Sequence, residues 1–431
     1  MRIAIAGLGN IGAEVARQCL DKAELYAQRA EGPITVTDVS ARDRGKDRGF
    51  DLRKHGIRFW KDPTKMASEA DVDIVVELIG GADGVALRVV EVAIARGVHV
   101  VTANKALLAK HGMRLARLAE ARGVTLAFEA AVAGGIPVVE LLRQGLAANV
   151  VTQIVGILNG TTNFILSQML GTGCSYDAAL KQAQQRGYAE ADPTLDVNGM
   201  DAAAKLAILS ALAFGVPVDL SGMPVEGIER ITALDIQRAS QLGLTVKLLC
   251  IARNTAQGLE RWVQPCLVPA DSVIGKVVGA TNAVAITGEP LGTLVIQGQG
   301  AGAGPTASAV IADIIDLATG RRLPAFGKLA SELRAVPELV PGDRKGEYYL
   351  RLQAVDQPRV LGDVLSLFGM QGISMGPTDQ PDVVPDEHGA VPVFLTTRRT
   401  QEAAVQRALI MIRELTTVKG EPCLMRIERN V

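Results

Sequence analysis

A chain of 431 residues is too long for one ordinary domain, and two or three are expected. With 48% hydrophobic and 21% charged residues it reads as globular, and a net charge of −1 gives no field to gather nucleic acid or an anionic membrane. No apolar run is long and charge-free enough to span a bilayer, and the N-terminus enters a strand with no leader anatomy before it, so a cytoplasmic protein is expected.

That first strand, Arg2–Ala6, ends in Gly7-Leu-Gly9-Asn10-Ile11-Gly12, and a helix follows. The motif is common, but strand before and helix after give it the context of a dinucleotide fingerprint. Gly7 permits the tight turn, Gly9 lets backbone approach a pyrophosphate, and Gly12 lets helix and sheet pack closely. The next strand, from Ile34, is expected to end at Asp38, where a carboxylate binds the two hydroxyls of an adenine ribose and favours NAD. Arg42 and Arg44 follow closely and suit a 2′-phosphate, so NADP stays open. Strands at Asp73–Ile79 and His99–Ala103 alternate with helices at Val85–Ala95 and Lys105–Ala121, the pattern of a parallel sheet wrapped on both faces. Thr102-Ala-Asn-Lys105 falls at the carboxyl edge of that sheet, and Lys105 opens a helix whose N-terminus is already partly positive. A cation placed against that dipole points to function.

The strand at Thr125 gives way to Glu129-Ala-Ala-Val132-Ala-Gly134-Gly-Ile136-Pro137. Such a loop can turn carbonyls and one carboxylate toward a hard cation, but spacing alone favours a plain strand–helix connection. From Val151 helices come first and strands after, which makes a second, α+β domain. Its strand Val151–Leu158 runs into Asn159-Gly-Thr-Thr-Asn163, with a helix expected near Phe164. Gln299-Gly300-Ala-Gly302-Ala-Gly304 precedes a helix at Ala307–Leu317 that is expected to return to the first domain, and Gly302 permits close approach to a cofactor. Proline-bearing residues 326–346 read as a linker, and residues 347–431 follow as βαββαβ.

From the end of the helix at 176–186, Gly187 to Lys205 carries four acidic residues and leads into an apolar helix at 200–214. Asp201 and Lys205 are spaced i, i+4 and share one helix face. A solvated surface pair and an active-site helix fit that spacing equally well. The rest of the chain weighs on the choice. The five cysteines, Cys19, Cys174, Cys250, Cys266 and Cys423, are scattered and read as reduced core thiols, and none of the four histidines has ligand or triad spacing. Acid–base work therefore falls to lysine and carboxylates. A lysine has a free pKa near ~10.4, so it serves as a base only where burial or a second cation lowers it.

Taken together, Gly7–Gly12, Thr102–Lys105, Glu129–Pro137, Gly156–Asn163 and above all Gly187–Lys205 resemble homoserine dehydrogenases, from the first strand to the C-terminus. The resemblance implies an α/β and α+β multidomain fold. It comprises a Rossmann-type NAD(P) domain at 1–135 completed by about 305–325, a catalytic and dimerisation domain at 136–304, and a C-terminal βαββαβ module like an ACT domain. It implies interconversion of L-aspartate 4-semialdehyde and L-homoserine with NAD or NADP, on the shared route to threonine, methionine and isoleucine, by a homodimer or homotetramer. Lys205 becomes the acid–base and Lys105 its neighbour at the reacting centre. Glu190 and Asp201 hold the substrate, and Gly187 and Gly302 fall near the cofactor. Glu129, Val132, Gly134 and Ile136 hold a sodium ion. One departure stands out: ACT modules commonly carry Asp-x-Pro-Gly before their first helix, and here Asp356-Gln-Pro358 is followed by Arg359. That side chain counts against amino-acid binding at the usual ACT site. A dehydrogenase of another amino-acid aldehyde or imine is the alternative; a non-catalytic sensor would be expected to have lost Lys205, Glu190 or the glycines.

Overall fold

Short runs of Ile and Val bury both faces of a strand only in a sheet covered on both sides. The computed structural model describes residues 1–380 and 384–431, and six such runs form its first layer. β1 (Arg2–Ala6) leads into α1 (Asn10–Asp21), followed by α2 (Ala23–Arg29), β2 (Thr35–Ser40), β3 (Arg58–Trp60) and α3 (Pro63–Glu69). Next come β4 (Ile74–Glu77), α4 (Val85–Ala95), β5 (His99–Thr102), α5 (Lys105–Arg122) and β6 (Leu126–Ala127). All pairings are parallel, in the order β3-β2-β1-β4-β5-β6. Winding reverses between β1 and β4, so a crevice opens at their carboxyl ends, where sheets of this kind take ligands.

After α6 (Val138–Glu140), which continues as a π-turn over Leu141–Gly145, the chain enters the second layer. There β7 (Val150–Ile157) precedes α7 (Gly160–Thr172), α8 (Tyr176–Gln185), α9 (Thr194–Val197), α10 (Met200–Phe214) and α11 (Ala233–Gln241). The strands β8 (Leu244–Thr255), β9 (Gly258–Pro269), β10 (Thr281–Glu289) and β11 (Gly292–Gln299) complete it. α7 starts four residues earlier than the position near Phe164 expected from sequence, because Asn159 caps it by accepting the Thr162 N–H at 2.8 Å. Every residue of α10 from Asp201 to Leu212 is buried. Its small alanines let it lie between β8 and α5, which brings Asp201 and Lys205 to the first domain. α12 (Ala303–Ala318) then packs back on that domain, where Ala307, Val310, Ile314 and Leu317 join Ile3, Ile5 and Val15 in one apolar cluster.

The C-terminal βαββαβ run consists of β12 (Lys345–Val355), α13 (Val360–Met370), β13 (Met375–Asp379), β14 (Ala390–Thr397), a short β15 (Thr400–Gln401), α14 (Glu402–Arg413) and β16 (Val418–Ile427). Sequence reading sets this module apart behind a linker, whereas the structure joins it edge to edge with the second layer. β16 pairs parallel with β9 through Arg426↔Cys266 and Ile427↔Leu267, giving one sheet ordered β11-β10-β7-β8-β9-β16-β12-β14-β13. Tyr348, Leu350 and Leu352 face α13 and α14. Their neighbours Tyr349, Phe394 and Met425 belong instead to the core shared with α7 and α10. Asp235 on α11, fully buried, fastens that contact: Tyr349 Oη and Arg351 Nε each donate to its Oδ1 at 2.8 Å. At the start of α13, Arg359 keeps the left-handed backbone of a glycine, with φ +80°, and is exposed.

Candidate active site

Gly7 has φ +104°, and a Cβ there would stand 2.6 Å from the Leu78 carbonyl carbon; one on Gly12 would stand 2.1 Å from the Gly7 oxygen. Gly9 faces open space instead, and α1 has no side-chain cap, so the first-turn amides of Asn10, Ile11 and Gly12 remain for an anion such as a pyrophosphate. The turn, the helix and the open glycine fit a dinucleotide.

Two side chains expected to touch it are hydrogen-bonded within the protein. β2 runs two residues past Asp38 to Ser40. The Asp38 carboxylate, expected from sequence to bind the ribose, is buried and accepts the Trp60 indole N–H at 2.6 Å. Arg42 and Arg44 are the exposed charges beyond the true strand end. Arg48 ties their loop to the glycine turn by donating to the Leu8 carbonyl at 3.0 Å. Thr102, also expected to meet the cofactor, is fully buried and donates to Glu77 Oε2 at 2.7 Å. Glu77 Oε1 in turn accepts the Ile79 N–H at 2.7 Å and the Gly80 N–H at 3.2 Å. The pair shapes the loop beneath Gly7. Asn104 Nδ2 then donates to Gly81 O at 2.7 Å while its Oδ1 caps α5.

That cap places Lys105 at the sheet's carboxyl edge, where Asp201 offsets the unfavourable helix dipole. Lys105 Nζ lies 3.0 Å from Asp201 Oδ1, and Lys205 Nζ lies 2.7 Å from Asp201 Oδ2 and 2.8 Å from the Leu158 carbonyl oxygen. Asp201 and Lys205 are buried, whereas the Lys105 side chain is 44% exposed. Burial alone would push the Asp201 carboxyl up, but the Lys205 and Lys105 ammoniums hold it well below the usual carboxylate range. Asp201 reciprocates by raising Lys105, against the opposing effect of burial.

Glu190 is exposed on the loop after α8, and its charge, like that of Asp196, raises Lys105. Asp196 is a residue that sequence reasoning missed. It lies on α9 with its carboxyl pushed up by burial, and Asn159 Nδ2 donates to its Oδ1 at 2.8 Å. Gly187, with φ +73°, precedes Tyr188, whose carbonyl accepts from Thr161 Oγ1 at 2.7 Å, and so borders the same cleft. Gly302 has φ +117° and opens α12 without a side-chain cap.

The loop expected to hold sodium is partly engaged already. Glu129 accepts the Val139 N–H at 2.9 Å and the Glu140 N–H at 2.6 Å, and the Ile136 carbonyl accepts the Val138 N–H at 2.8 Å. Burial pushes the Glu129 carboxyl up to about 7. The carbonyls of Val132 and Gly134 accept no hydrogen bond among the described residues. Ala133 and Gly134 turn there with φ +56° and +58°. No group of three or more His, Cys, Asp or Glu among the described residues is arranged to hold a metal. Nor is any described helix long and apolar enough to cross a membrane.

Two family models match this chain: the NAD-binding domain of homoserine dehydrogenase over residues 7–129 and homoserine dehydrogenase over 137–315. A homoserine dehydrogenase from Neisseria gonorrhoeae is 40% identical, covering 99% of this chain and 98% of its own, and one from Pseudomonas aeruginosa is 39% identical over 100% and 99%. Among solved structures, a homoserine dehydrogenase from Thiobacillus denitrificans superposes with a TM-score of 0.91 at 39% identity, covering 100% of this chain and 98% of that one. A hyperthermophilic archaeal homoserine dehydrogenase solved with NADPH superposes with a TM-score of 0.62 at 25% identity, covering 73% and 96%. Likeness that spans both layers and the Asp201–Lys205 helix between them makes this chain an oxidoreductase of the homoserine dehydrogenase family.

Proposed function

We propose that this chain reduces L-aspartate 4-semialdehyde to L-homoserine, and runs the reverse oxidation, with Lys205 as acid–base. The observation that carries the reading is Asp201 between two lysines, at 3.0 Å from Lys105 and 2.7 Å from Lys205, beside the sheet's ligand crevice. A bound nicotinamide supplies or takes the hydride. The Gly7–Gly12 turn and the first amides of α1 would hold its pyrophosphate. Lys205 Nζ gives the proton that an aldehyde oxygen needs as it becomes an alkoxide, and takes it back in oxidation. Lys105 adds positive charge where negative charge develops. Glu190 and Asp196 offer carboxylates to a substrate ammonium, while Asp201 positions the lysines.

Because Asp201 raises Lys105, that ammonium persists through neutral pH. On the alkaline side the ion pair's contribution holds up to pH 10.5 and is lost above it, and on the acid side it is lost as Asp201 protonates, below the usual carboxylate range. The positive charge that Lys105 offers a developing alkoxide is therefore present across neutral pH. Reduction should be flat between about pH 6 and 9, and oxidation of homoserine should rise with pH over the same range. The check is nicotinamide absorbance at 340 nm in both directions. Absence of turnover with aspartate 4-semialdehyde, alongside activity on another amino-acid aldehyde, would overturn the substrate.

The cofactor reading shifts to NADP. Asp38 is held by Trp60, and Arg42 and Arg44 are exposed just past the end of β2, in a loop that also carries Asp43, Lys46 and Asp47. NADPH should be preferred, and Arg42→Ala with Arg44→Ala should lower kcat/KM for NADPH about 10- to 100-fold, as charge-assisted bonds to phosphate imply, with NADH little changed. A wild-type preference for NADH refutes this.

The free carbonyls of Val132 and Gly134, beside a buried carboxylate at Glu129, support a monovalent cation such as sodium in that loop. The βαββαβ order supports an ACT-like module, with Arg359 counting against amino-acid binding at the α13 N-terminus. The same assay with sodium exchanged for potassium, and with threonine added, reads both: a rate that depends on sodium and ignores threonine is expected.

A further inference from the structure

The most constrained side chain in the cleft is one with no place in the proton transfer itself. Asn159 is buried at the end of β7 and uses its whole amide. Oδ1 accepts the Thr162 N–H at 2.8 Å and caps α7. Nδ2 donates one hydrogen to Asp196 Oδ1 at 2.8 Å and the other to Asp201 Oδ2 at 3.0 Å. The amide cannot turn over, because its oxygen would then meet two carboxylates and its nitrogen a backbone N–H. We infer that Asn159 is a positioning residue for the reaction, tying the substrate-facing Asp196 to the lysine-holding Asp201 from a rigid helix cap.

The physical case rests on like charges. Burial and the charge of Asp201 both push the Asp196 carboxyl up, as expected of carboxylates sharing a buried cleft. A neutral group with two donors is the bridge that lets both stay ionised without adding charge. Its acceptor is fixed in turn by α7, so the Asp201 carboxylate has one orientation to offer Lys205 on Oδ2 and Lys105 on Oδ1. Other titratable groups face the cluster: Glu190 from the loop after α8, and Cys250 on β8, whose thiol burial pushes up to about 12, so that it stays neutral. The inference rests on the reading that the Asp201 lysines act in the reaction.

Serine and aspartate both cap helices about as well as asparagine, which separates capping from positioning. Asn159→Ser removes the two donors and adds no charge; Asn159→Asp replaces them with a third carboxylate. Asn159→Ser should melt within a few degrees of the wild type, whereas Asn159→Asp, which buries a third carboxylate beside two others, should melt lower. Both should lose about 100-fold in kcat with aspartate 4-semialdehyde, the scale at which a misplaced catalytic group costs rate. In Asn159→Asp the alkaline rise of homoserine oxidation should also move to higher pH, because added negative charge favours the ammonium form. In Asn159→Ser that rise should move less. Wild-type kcat and pH profile in Asn159→Ser would overturn the inference, as would a loss that follows Tm alone. Failure of the substrate reading looks different: the wild type itself would not turn over aspartate 4-semialdehyde.

Discussion

Lys205→Ala should lower kcat in both directions by about 10²–10⁴-fold, the span usually carried by a positioned acid–base, while the protein stays folded. Lys205 is buried and hydrogen-bonded on two sides, to Asp201 at 2.7 Å and to the Leu158 carbonyl at 2.8 Å. Truncating one member of a buried pair ordinarily costs about 3–5 kcal/mol because the other charge is stranded. Here Asp201 keeps Lys105 at 3.0 Å and Asn159 Nδ2 at 3.0 Å, so the stability cost should lie at or below the low end. Lys105→Ala is the informative companion. Its side chain is 44% exposed, so its removal should barely move Tm yet should still cost rate through lost charge stabilisation. Steady-state kinetics with parallel thermal melts make the comparison. If Lys205→Ala turned over at near wild-type rate with an unchanged melt, the proton would have to travel by another group.

How far these residues were legible in the sequence depends on the range of the interaction that places them. The glycine turn is local, since strand, tight turn and helix follow within a dozen residues and a Cβ on Gly12 would meet the Gly7 carbonyl. The Asp201–Lys205 pair is local too, because i, i+4 spacing on a helix brings the two groups together wherever that helix lies. The surroundings of Asp38 were not legible, because they turn on where β2 ends and on an indole 22 residues away. The hydroxyl of Thr102 is likewise engaged by a distant partner, Glu77, 25 residues earlier. Asn159 joins residues 37 and 42 positions further along, and no periodicity marks such a meeting. The C-terminal seam was hidden for a different reason. Alternation in β12 reads as one buried and one wet face, whereas Tyr348 and Tyr349 on opposite faces are both buried.

That seam leads to the second large effect, in which a chain ended at Asp343 should not fold to a soluble, active enzyme. Removing residues 344–431 takes Tyr349, Phe394, Cys423, Met425 and Ile427 out of the core they share with α7, α10 and β8. At about 1.5–3 kcal/mol for each large apolar side chain, the loss is comparable with the roughly 5–15 kcal/mol that hold a typical domain together. It also strips β9 of its β16 partner, leaving an unpaired edge of the kind that recruits other chains. Charges are stranded as well: Asp235 loses Tyr349 and Arg351, and Arg253 loses Glu428, which it meets at 2.8 Å. Trp262, fully buried with the Arg426 guanidinium 5.4 Å from its ring centre, is one of only two tryptophans and reports the change by fluorescence. Aggregation or a non-cooperative melt in residues 1–343 is the expected result. Phe394→Ala in the full chain should act the same way in miniature, lowering stability by about 3–5 kcal/mol although it lies in the C-terminal module. A soluble 1–343 chain with a cooperative melt and wild-type kcat would show that the seam is a mere contact. Tyr349 and Arg351 hold α11 through Asp235, and α11 packs in turn on α7, whose cap Asn159 holds Asp196 and Asp201, so the seam and the candidate site share one continuous packing.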